Sequence, residues 1–279
     1  MAEILGGVFT SHVPAIGGAI AKGLQKDDYW RPFFDGFPAI SEWLSEKKPD
    51  IAVVFYNDHG LNFFLDKMPT FAVGAAPQYD NADEGWGLPV CHSLKGAPEF
   101  SWHLIEHLVG ADFDITTCQK MLVDHAVMVP FQLLWPDAKE WPVRVVPIAI
   151  NTVQHPLPSP SRCLALGHAV HDAIEEWEGD ERVVVVGTGG LSHQLDGERA
   201  GFLNKDYDKF CLDSLGPSPE ALIKDTSLDI IEKAGSQGIE ILNWIAARGA
   251  VGGRVVEKSR NYHIPISNTA AASLLLERV

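Results

Sequence analysis

Three histidines follow short apolar segments that are typical of buried β-strands. His12 comes two residues after the first segment, and His59 comes three residues after the second. His193 follows the fourth segment across a glycine-rich turn, Gly187–Ser192. Ligands of open α/β sheets bind outside the carboxyl ends of the strands. If the three strands are parallel, their imidazoles converge on one edge of the sheet, and we expect a shared site there.

Histidines grouped in this way are candidates for a metal site. Neutral imidazole is a favoured ligand for zinc, iron and copper, and two histidines with one carboxylate leave open positions that suit Fe(II) with a substrate and O2. The sequence offers 37 Asp and Glu residues, so the residues alone single out no carboxylate. Glu240 is a candidate in the first turn of a predicted helix. A carboxylate there is also explained by the helix dipole, and both interpretations stay open.

Other motifs give weaker indications of chemistry. His103–His107 (HLIEH) matches a zinc-peptidase pattern, but its polar residues fall on one helix face, as on a solvated surface. Gly187–Leu191 lacks the ending of a phosphate-binding loop, and Ser192 is not inside G-x-S-x-G. His125 is interpreted as a loop or cap histidine from the sequence alone.

Strand-like and helix-like segments alternate along the chain. The strand-like ones have near-continuous apolar runs, as in a sheet covered on both faces, and are Glu3–Thr10, Ile51–Tyr56, Val143–Ile150 and Arg182–Gly187. The helix-like ones are Pro38–Lys47, Pro98–Val109, Arg162–Trp177, Asn204–Leu215, Pro219–Lys233 and Ile239–Arg248. This alternation predicts a three-layer α/β fold, with a central mixed or mostly parallel sheet covered by helices on both faces. We expect one domain over residues 1–279, because no linker or repeat interrupts the pattern.

The composition excludes several classes of protein. A formal net charge of −15 over 279 residues disfavours nucleic acid as a partner. The four cysteines form no C-x-x-C pair, so we expect reduced thiols. The amino terminus has no signal-peptide pattern, and there is no apolar run of membrane-spanning length. A cytoplasmic protein is therefore expected.

Six short motifs resemble, in order along the chain, the class of extradiol ring-cleaving dioxygenases that includes the β (catalytic) subunit of protocatechuate 4,5-dioxygenase. They are Thr10–Ala15 (TSHVPA), Tyr56–His59 (YNDH), Ala82–Gly87 (ADEGWG), Val123–His125 (VDH), Gly187–Gln194 (GTGGLSHQ) and Tyr262–Thr269 (YHIPISNT).

The resemblance implies a role for each matching residue. His12, His59 and Glu240 would hold a non-haem Fe(II), His193 would be the acid/base, and His125 would lie near the substrate oxygens. Ser267 and Asn268 would bind the ring carboxylate of the substrate. Family members of this type pair with a small α subunit that closes the active site or carry it fused. The chain ends at Val279 soon after the last motif, so a separate small partner is implied.

The resemblance leaves the substrate open. Protocatechuate 4,5-cleavage, to 4-carboxy-2-hydroxymuconate semialdehyde, is the first expectation. Leu88–His92 departs from the usual pattern, and Gln154–Pro156 with Gly197–Ala200 are more similar to gallate-cleaving relatives, so gallate and 3-O-methylgallate are alternatives. A zinc hydrolase with the same ligands and a metal-free binding protein are the other two hypotheses. The presence of all the proposed ligands together with His193 speaks against the metal-free one.

Overall fold

The structure is a computed structural model that describes residues 1–85, 87–266 and 268–279, with the backbone alone at Pro265 and Ile266. The strands are β1 (Glu3–Thr10), β2 (Ile51–Tyr56), β3 (Phe71–Gly74), β4 (Gln78–Asn81), β5 (Leu94–Lys95), β6 (Thr116–Cys118), β7 (Leu122–Val123), β8 (Arg144–Ile150), β9 (Arg182–Thr188), β10 (Val255–Ile266) and β11 (Thr269–Arg278). The helices are α1 (Pro14–Ala21), α2 (Arg31–Phe34), α3 (Pro38–Lys47), α4 (Pro98–Gly110), α5 (His125–Leu134), α6 (Pro160–Glu176), α7 (Lys205–Leu215), α8 (Ser227–Ala234) and α9 (Ile241–Val251). Short 3₁₀ turns lie at Pro219–Ala221 and Gly238–Glu240.

The described strands form a mixed eight-stranded sheet in the order β10-β11-β1-β9-β2-β8-β3-β6, and a small sheet in the order β5-β4-β7. The four central strands β1, β9, β2 and β8 are mutually parallel. Antiparallel pairing begins on either side, where β11 pairs with β1 and β3 pairs with β8. The carboxyl ends of the central strands therefore meet at one edge of the sheet, which is the condition on which the expected shared site depended.

Apolar side chains cover both faces of the sheet. Along β2, Val53 and Phe55 join a core that includes residues of α4, α6 and α9, whereas Val54 and Tyr56 join a second core with residues of α1, α3 and α5. Alternating side chains of a strand point to opposite faces, so a strand buried on both faces is apolar throughout. The predicted three-layer α/β fold is confirmed.

Two parts of the chain differ from the sequence prediction. The helix predicted over Pro219–Lys233 is wrong as a single element, because it divides into the 3₁₀ turn and α8. Thr226 begins α8 with a capping box, in which its hydroxyl and the Asp229 carboxylate each satisfy a backbone N–H of the other residue. The hairpin of β10 and β11 was not predicted.

No helix in the described parts of the chain has the length and apolar character to cross a membrane.

Candidate metal centre

The parallel order β1-β9-β2 brings the three strand-end histidines to one cavity. His12, His193 and His59 line a cavity of about 930 Å³ at the carboxyl edge of the sheet. His125, at the start of α5, and Glu240, just before α9, line it too. The three strand-end histidines therefore share one cavity, which also contains His125 and His155, two histidines that strand position did not indicate.

Two overlapping sets of three side chains in this cavity are close enough for a shared metal ion. Ligand nitrogens of His12, His59 and His125 all lie within 4.8 Å of one another. Glu240 Oε1 lies 3.4 Å from His12 Nε2 and 3.5 Å from His59 Nε2. Two atoms bound at about 2.1 Å to one metal are separated by about 3.0–3.4 Å. The donor chemistry and the spacing therefore fit a divalent cation.

Backbone and amide donors fix the Glu240 carboxylate. Its Oε2 accepts from the Gly190 backbone N–H at 2.9 Å, and its Oε1 accepts from Asn57 Nδ2 at 3.1 Å. Gly189 has φ +113°, and a Cβ there would lie 2.7 Å from Glu240 Cβ, so only glycine lets the turn approach this closely. Burial favours a higher pKa for the carboxyl, but His12 and His59 hold the pKa of Glu240 well below its ordinary value.

Asn57 is held in turn by α9. Asn243 Nδ2 donates to Asn57 Oδ1 at 3.0 Å and to the Thr188 carbonyl at 2.9 Å. The Asn57 amide also lies 3.1 Å from His59 Nε2. The last residues of β9 and the first of the loop after β2 are thus tied to the helix that follows Glu240.

His59 is oriented by a buried carboxylate. Asp124 Oδ2 accepts from the backbone N–H of His59 at 2.9 Å and from its Nδ1–H at 3.1 Å. Burial opposes the charged forms of both groups, but their hydrogen bond holds the pKa of Asp124 well below its ordinary value. Hydrogen bonds to Asp124 and Glu240 likewise outweigh burial and raise the pKa of His59 to about 10. With Nδ1 engaged, Nε2 is the nitrogen that faces Glu240.

His12 and His125 are anchored through the same ring atom. His12 Nδ1 lies 3.1 Å from the Thr188 hydroxyl, at the end of β9. His125 Nδ1 lies 2.8 Å from Glu84 Oε1. Burial and the neighbouring charge of His59 lower the pKa of His125, which favours the neutral imidazole.

His193 occupies a different wall of the cavity. Its Nδ1 lies 2.8 Å from the Leu191 carbonyl oxygen, which identifies it as the protonated nitrogen. Its backbone N–H donates to the Ala234 carbonyl at 2.8 Å, and the residue pairs with Thr269 across a β-bridge. The ring is therefore held beside the cluster without belonging to the group of closely spaced ligand nitrogens.

The sequence also singled out Ser267, Asn268, His103 and His107. Ser267 lies outside the described residues. Asn268 is exposed, has φ +61°, and precedes Thr269, which lines the cavity. His103 and His107 join no metal-type cluster in the described chain; they bond instead to α6, through the Ala173 carbonyl and the Glu176 carboxylate.

Sequence reasoning assigned no role to the supporting residues Asn57, Glu84, Asp124 and Thr188. All four stand inside the short motifs quoted above. Asp124 carried a usable signal, because an Asp directly before a helical apolar pattern is typical of an N-cap, and it caps α5 here.

Fold and cluster together define an α/β protein with a histidine–carboxylate centre of the kind that holds a catalytic divalent metal. The model of one family, the catalytic LigB subunit of aromatic ring-opening dioxygenase, matches residues 6–273. The chain belongs to this family, whose members are ring-cleaving oxidoreductases.

Two relatives illustrate the range of the family. The chain is 36% identical over 196 residues to a gallate dioxygenase of Pseudomonas putida, covering 70% of this chain and 57% of the relative. It is 30% identical over 215 residues to a 2,3-dihydroxyphenylpropionate/2,3-dihydroxicinnamic acid 1,2-dioxygenase of Photorhabdus laumondii, covering 77% of this chain and 64% of the relative. The matched region thus spans less than two thirds of either relative.

A solved structure shares the fold. The crystal structure of an uncharacterized protein from Escherichia coli K12 superimposes with a TM-score of 0.56 at 13% identity, covering 97% of this chain and 99% of that chain. At this identity the likeness concerns the fold alone.

Proposed function

We propose that residues 1–279 form one catalytic domain that opens the ring of a carboxylated catechol with O2, in a reaction that depends on Fe(II) and cleaves beside the diol. The observation that carries this proposal is the meeting of Glu240 Oε1 with His12 Nε2 and His59 Nε2 at 3.4 and 3.5 Å, in a chain of the ring-opening dioxygenase family. Two histidines and one carboxylate are the ligand set that suits a non-haem Fe(II) oxygenase.

In this proposal His12, His59 and Glu240 hold the iron. Ferrous iron held there would supply the binding of the catechol and O2 and would acidify the catechol hydroxyl groups. By fixing the metal at one point of the cavity, the three side chains would bring both reactants together there, which would remove much of the entropic cost of their encounter. Their buried carboxylate also balances part of the charge of the cation.

His193 and His125 handle protons. His193 takes a proton from a catechol hydroxyl and later returns one to the leaving oxygen, a task that suits an imidazole because its ordinary pKa is about 6.5. His125 lies close to the ligands, with its ring centroid 4.2 Å from that of His59 and 5.3 Å from that of His12. This position supports a role next to the substrate oxygens.

The cavity walls support an aromatic substrate. Phe63, Met68, Leu157 and Ile239 line it, and apolar walls exclude water from the reacting groups. Among the described lining residues there is no Lys or Arg. A ring carboxylate is therefore expected to use neutral donors, as the resemblance implies for Ser267 and Asn268 beside Thr269.

The substrate is tested with three carboxylated catechols. Protocatechuate is favoured by the motif resemblance, and gallate by the similarity to the gallate dioxygenase of Pseudomonas putida. Oxygen uptake by anaerobically purified, Fe(II)-loaded protein is compared for protocatechuate, gallate and 3-O-methylgallate. The preferred substrate should incorporate both atoms of labelled O2 into its ring-opened product. If no carboxylated catechol gives Fe(II)-dependent uptake, with a small subunit supplied, the proposal is wrong.

We also propose that a small α subunit covers the cavity. Four apolar side chains at the cavity wall are largely exposed: Phe64 by 57%, Leu65 by 70%, Val153 by 50% and Leu195 by 59%. A cluster of exposed apolar side chains around a binding site marks a surface that another chain covers. Co-purification of such a subunit, and a lower KM in its presence, would support this assignment.

A zinc hydrolase is the competing candidate. The three nitrogens of His12, His59 and His125 within 4.8 Å of one another also suit zinc. Metal analysis with hydrolase and oxygen-uptake assays separates the two, because only an iron-loaded dioxygenase couples catechol loss to O2 consumption.

A further inference from the structure

The loop Ala82–Gly87 belongs to the motifs that carry the family resemblance, yet the reaction proposed above gives it no part. Its Glu84 side chain, only 13% exposed, reaches the first residue of α5. Oε1 lies 2.8 Å from His125 Nδ1, and Oε2 accepts from the backbone N–H of His125 at 2.8 Å. One carboxylate thus holds both the ring and the backbone of the same residue.

The amino end of α5 holds a second carboxylate in a similar way. Asp124 accepts from the backbone N–H and the Nδ1–H of His59, and its Oδ1 accepts from the backbone N–H of Ala126 at 2.9 Å. The first N–H groups of a helix lack partners within the helix, and its dipole favours negative charge there. The helix end therefore holds Asp124 and Glu84, and each carboxylate holds one imidazole.

The two hydrogen bonds between His125 and the Glu84 carboxylate determine which ring nitrogen of His125 carries the proton. An ionised carboxylate can only accept, so a hydrogen bond to Glu84 requires the proton on Nδ1. Nε2 then keeps its lone pair, and the rings of His12 and His59 lie on the cavity side at centroid distances of 5.3 and 4.2 Å.

We propose that Glu84 is a positioning residue for this centre: it maintains the Nδ1–H tautomer of His125, so that Nε2 faces the cavity as a hydrogen-bond acceptor for a substrate hydroxyl. The identification of a substrate hydroxyl as the donor rests on the proposed function, whereas the tautomer of His125 does not. The proposal gives the Ala82–Gly87 loop a task in the active site.

The tautomer is measured directly in the full-length, metal-free protein by imidazole ¹⁵N NMR. The variant Glu84→Gln keeps the size of the side chain but places an amide N–H beside the ring, which favours the proton on Nε2. Asp83→Asn is the matched control, because Asp83 is exposed in the same loop and its Oδ1 accepts from the Gly85 N–H rather than from His125. We expect Nδ1–H in the wild type and in Asp83→Asn, and its loss in Glu84→Gln. An unchanged His125 spectrum in Glu84→Gln overturns the proposal.

Turnover provides the second measurement. For Glu84→Gln we expect kcat to fall by about 10–100-fold, as for loss of other residues that orient a centre of this kind, with KM and iron content nearly unchanged. In a His125→Ala background the same substitution should cause no further loss, because its effect passes through His125. An equal loss in both backgrounds would show a purely structural role and reject the proposal. Glu84→Asp, which keeps the charge at a shorter reach, should recover part of the activity.

The two proposals fail separately. If the wild-type protein takes up no O2 with any catechol, the proposed function is wrong, but the NMR experiment still decides whether Glu84 sets the tautomer. If the wild type is active and the Glu84→Gln tautomer is unchanged, the proposed function stands and the role of Glu84 is rejected.

Discussion

The parallel strands carry partly exposed ion pairs at their amino ends, whereas buried carboxylates lie beside imidazoles at their carboxyl ends. At the amino ends of β2, β8 and β9, acids face bases: Asp50 pairs with Arg182 at 3.1 Å and Arg144 pairs with Glu181 at 3.2 Å. These pairs are partly exposed; the Asp50 and Arg182 side chains are 39% and 40% accessible. Exposed pairs of this kind contribute about 0–1 kcal/mol each to folding.

At the carboxyl ends of the same strands, buried carboxylates face imidazoles. Glu240 and Asp124 have no Lys or Arg among their hydrogen-bond partners in the described structure. Burying a carboxylate is costly unless it is compensated, and a bound cation would supply that compensation. This contrast indicates that the carboxyl ends are arranged for chemistry. We therefore expect changes there to affect metal binding and turnover, and changes at the amino ends to affect stability alone.

The sharpest test of this contrast removes His193. Replacement by Ala should lower kcat by about 10²–10⁴-fold, the typical contribution of a general acid/base. Iron content should be unchanged, because His193 lies outside the cluster of ligand nitrogens. Steady-state oxygen uptake and iron analysis measure both quantities. Loss of iron from this variant would instead make His193 a ligand, and the ligand set would have to be redrawn.

The second test removes the charge of Glu240. In Glu240→Gln we expect iron affinity to fall by more than about 100-fold, beyond the typical cost of losing a supporting residue. Glu181→Gln, at the opposite end of the sheet, is the matched control and should bind iron like the wild type. Metal titration followed by iron analysis gives the affinities. If Glu240→Gln retains full iron content, His125 becomes the better candidate for the third ligand.

The third test concerns Asp124, which both caps α5 and orients His59. Asp124→Asn keeps an acceptor for the helix cap but places an amide N–H against the two His59 donors, so iron affinity should fall by about 10–100-fold. The buried donor left unpaired should also cost about 1–3 kcal/mol of stability. Ser159→Ala removes the cap of α6, where the hydroxyl accepts from the Arg162 N–H at 3.2 Å. This control should cost about 0.5–2 kcal/mol in unfolding experiments and leave iron affinity unchanged. If Asp124→Asn lost stability but kept the iron affinity of the wild type, Asp124 would act only through the helix.

Strand ends were the most predictable part of the centre. β1 and β2 begin and end where the apolar runs predicted, and His12 and His59 follow them two and three residues later. Periodicity could not give the order of the strands, so the convergence of the histidines depended on an assumption of parallel neighbours. Glu240 came from the family resemblance, because a carboxylate in a first helical turn has an equally good electrostatic explanation.

The supporting residues could not be predicted from the sequence. Glu84 and His125 are 41 positions apart, and no periodic pattern links one particular acid among 37 to a distant imidazole. The hairpin of β10 and β11 was missed for a related reason. Val255–Ile266 contains charged and polar residues, as an edge strand can, and therefore lacks the continuous apolar run that marked the central strands.

The smallest effect is expected at the amino ends of the strands. Arg182 hydrogen-bonds Asp50 and, against the opposing effect of burial, lowers the pKa of the Asp50 carboxyl from its ordinary value of 3.8. A lowered pKa in the folded state stabilises the protein at pH values above the ordinary pKa, and this stabilisation is lost as the pH falls through the lowered pKa.

Asp50→Asn should therefore cost at most about 1 kcal/mol near neutral pH. The difference from wild type should shrink as the pH falls below the ordinary value, because protonation then removes the same charge. Chemical denaturation over a pH series measures this difference. Iron binding should be the same in both proteins, and a change in iron affinity would show that the two ends of the sheet are coupled.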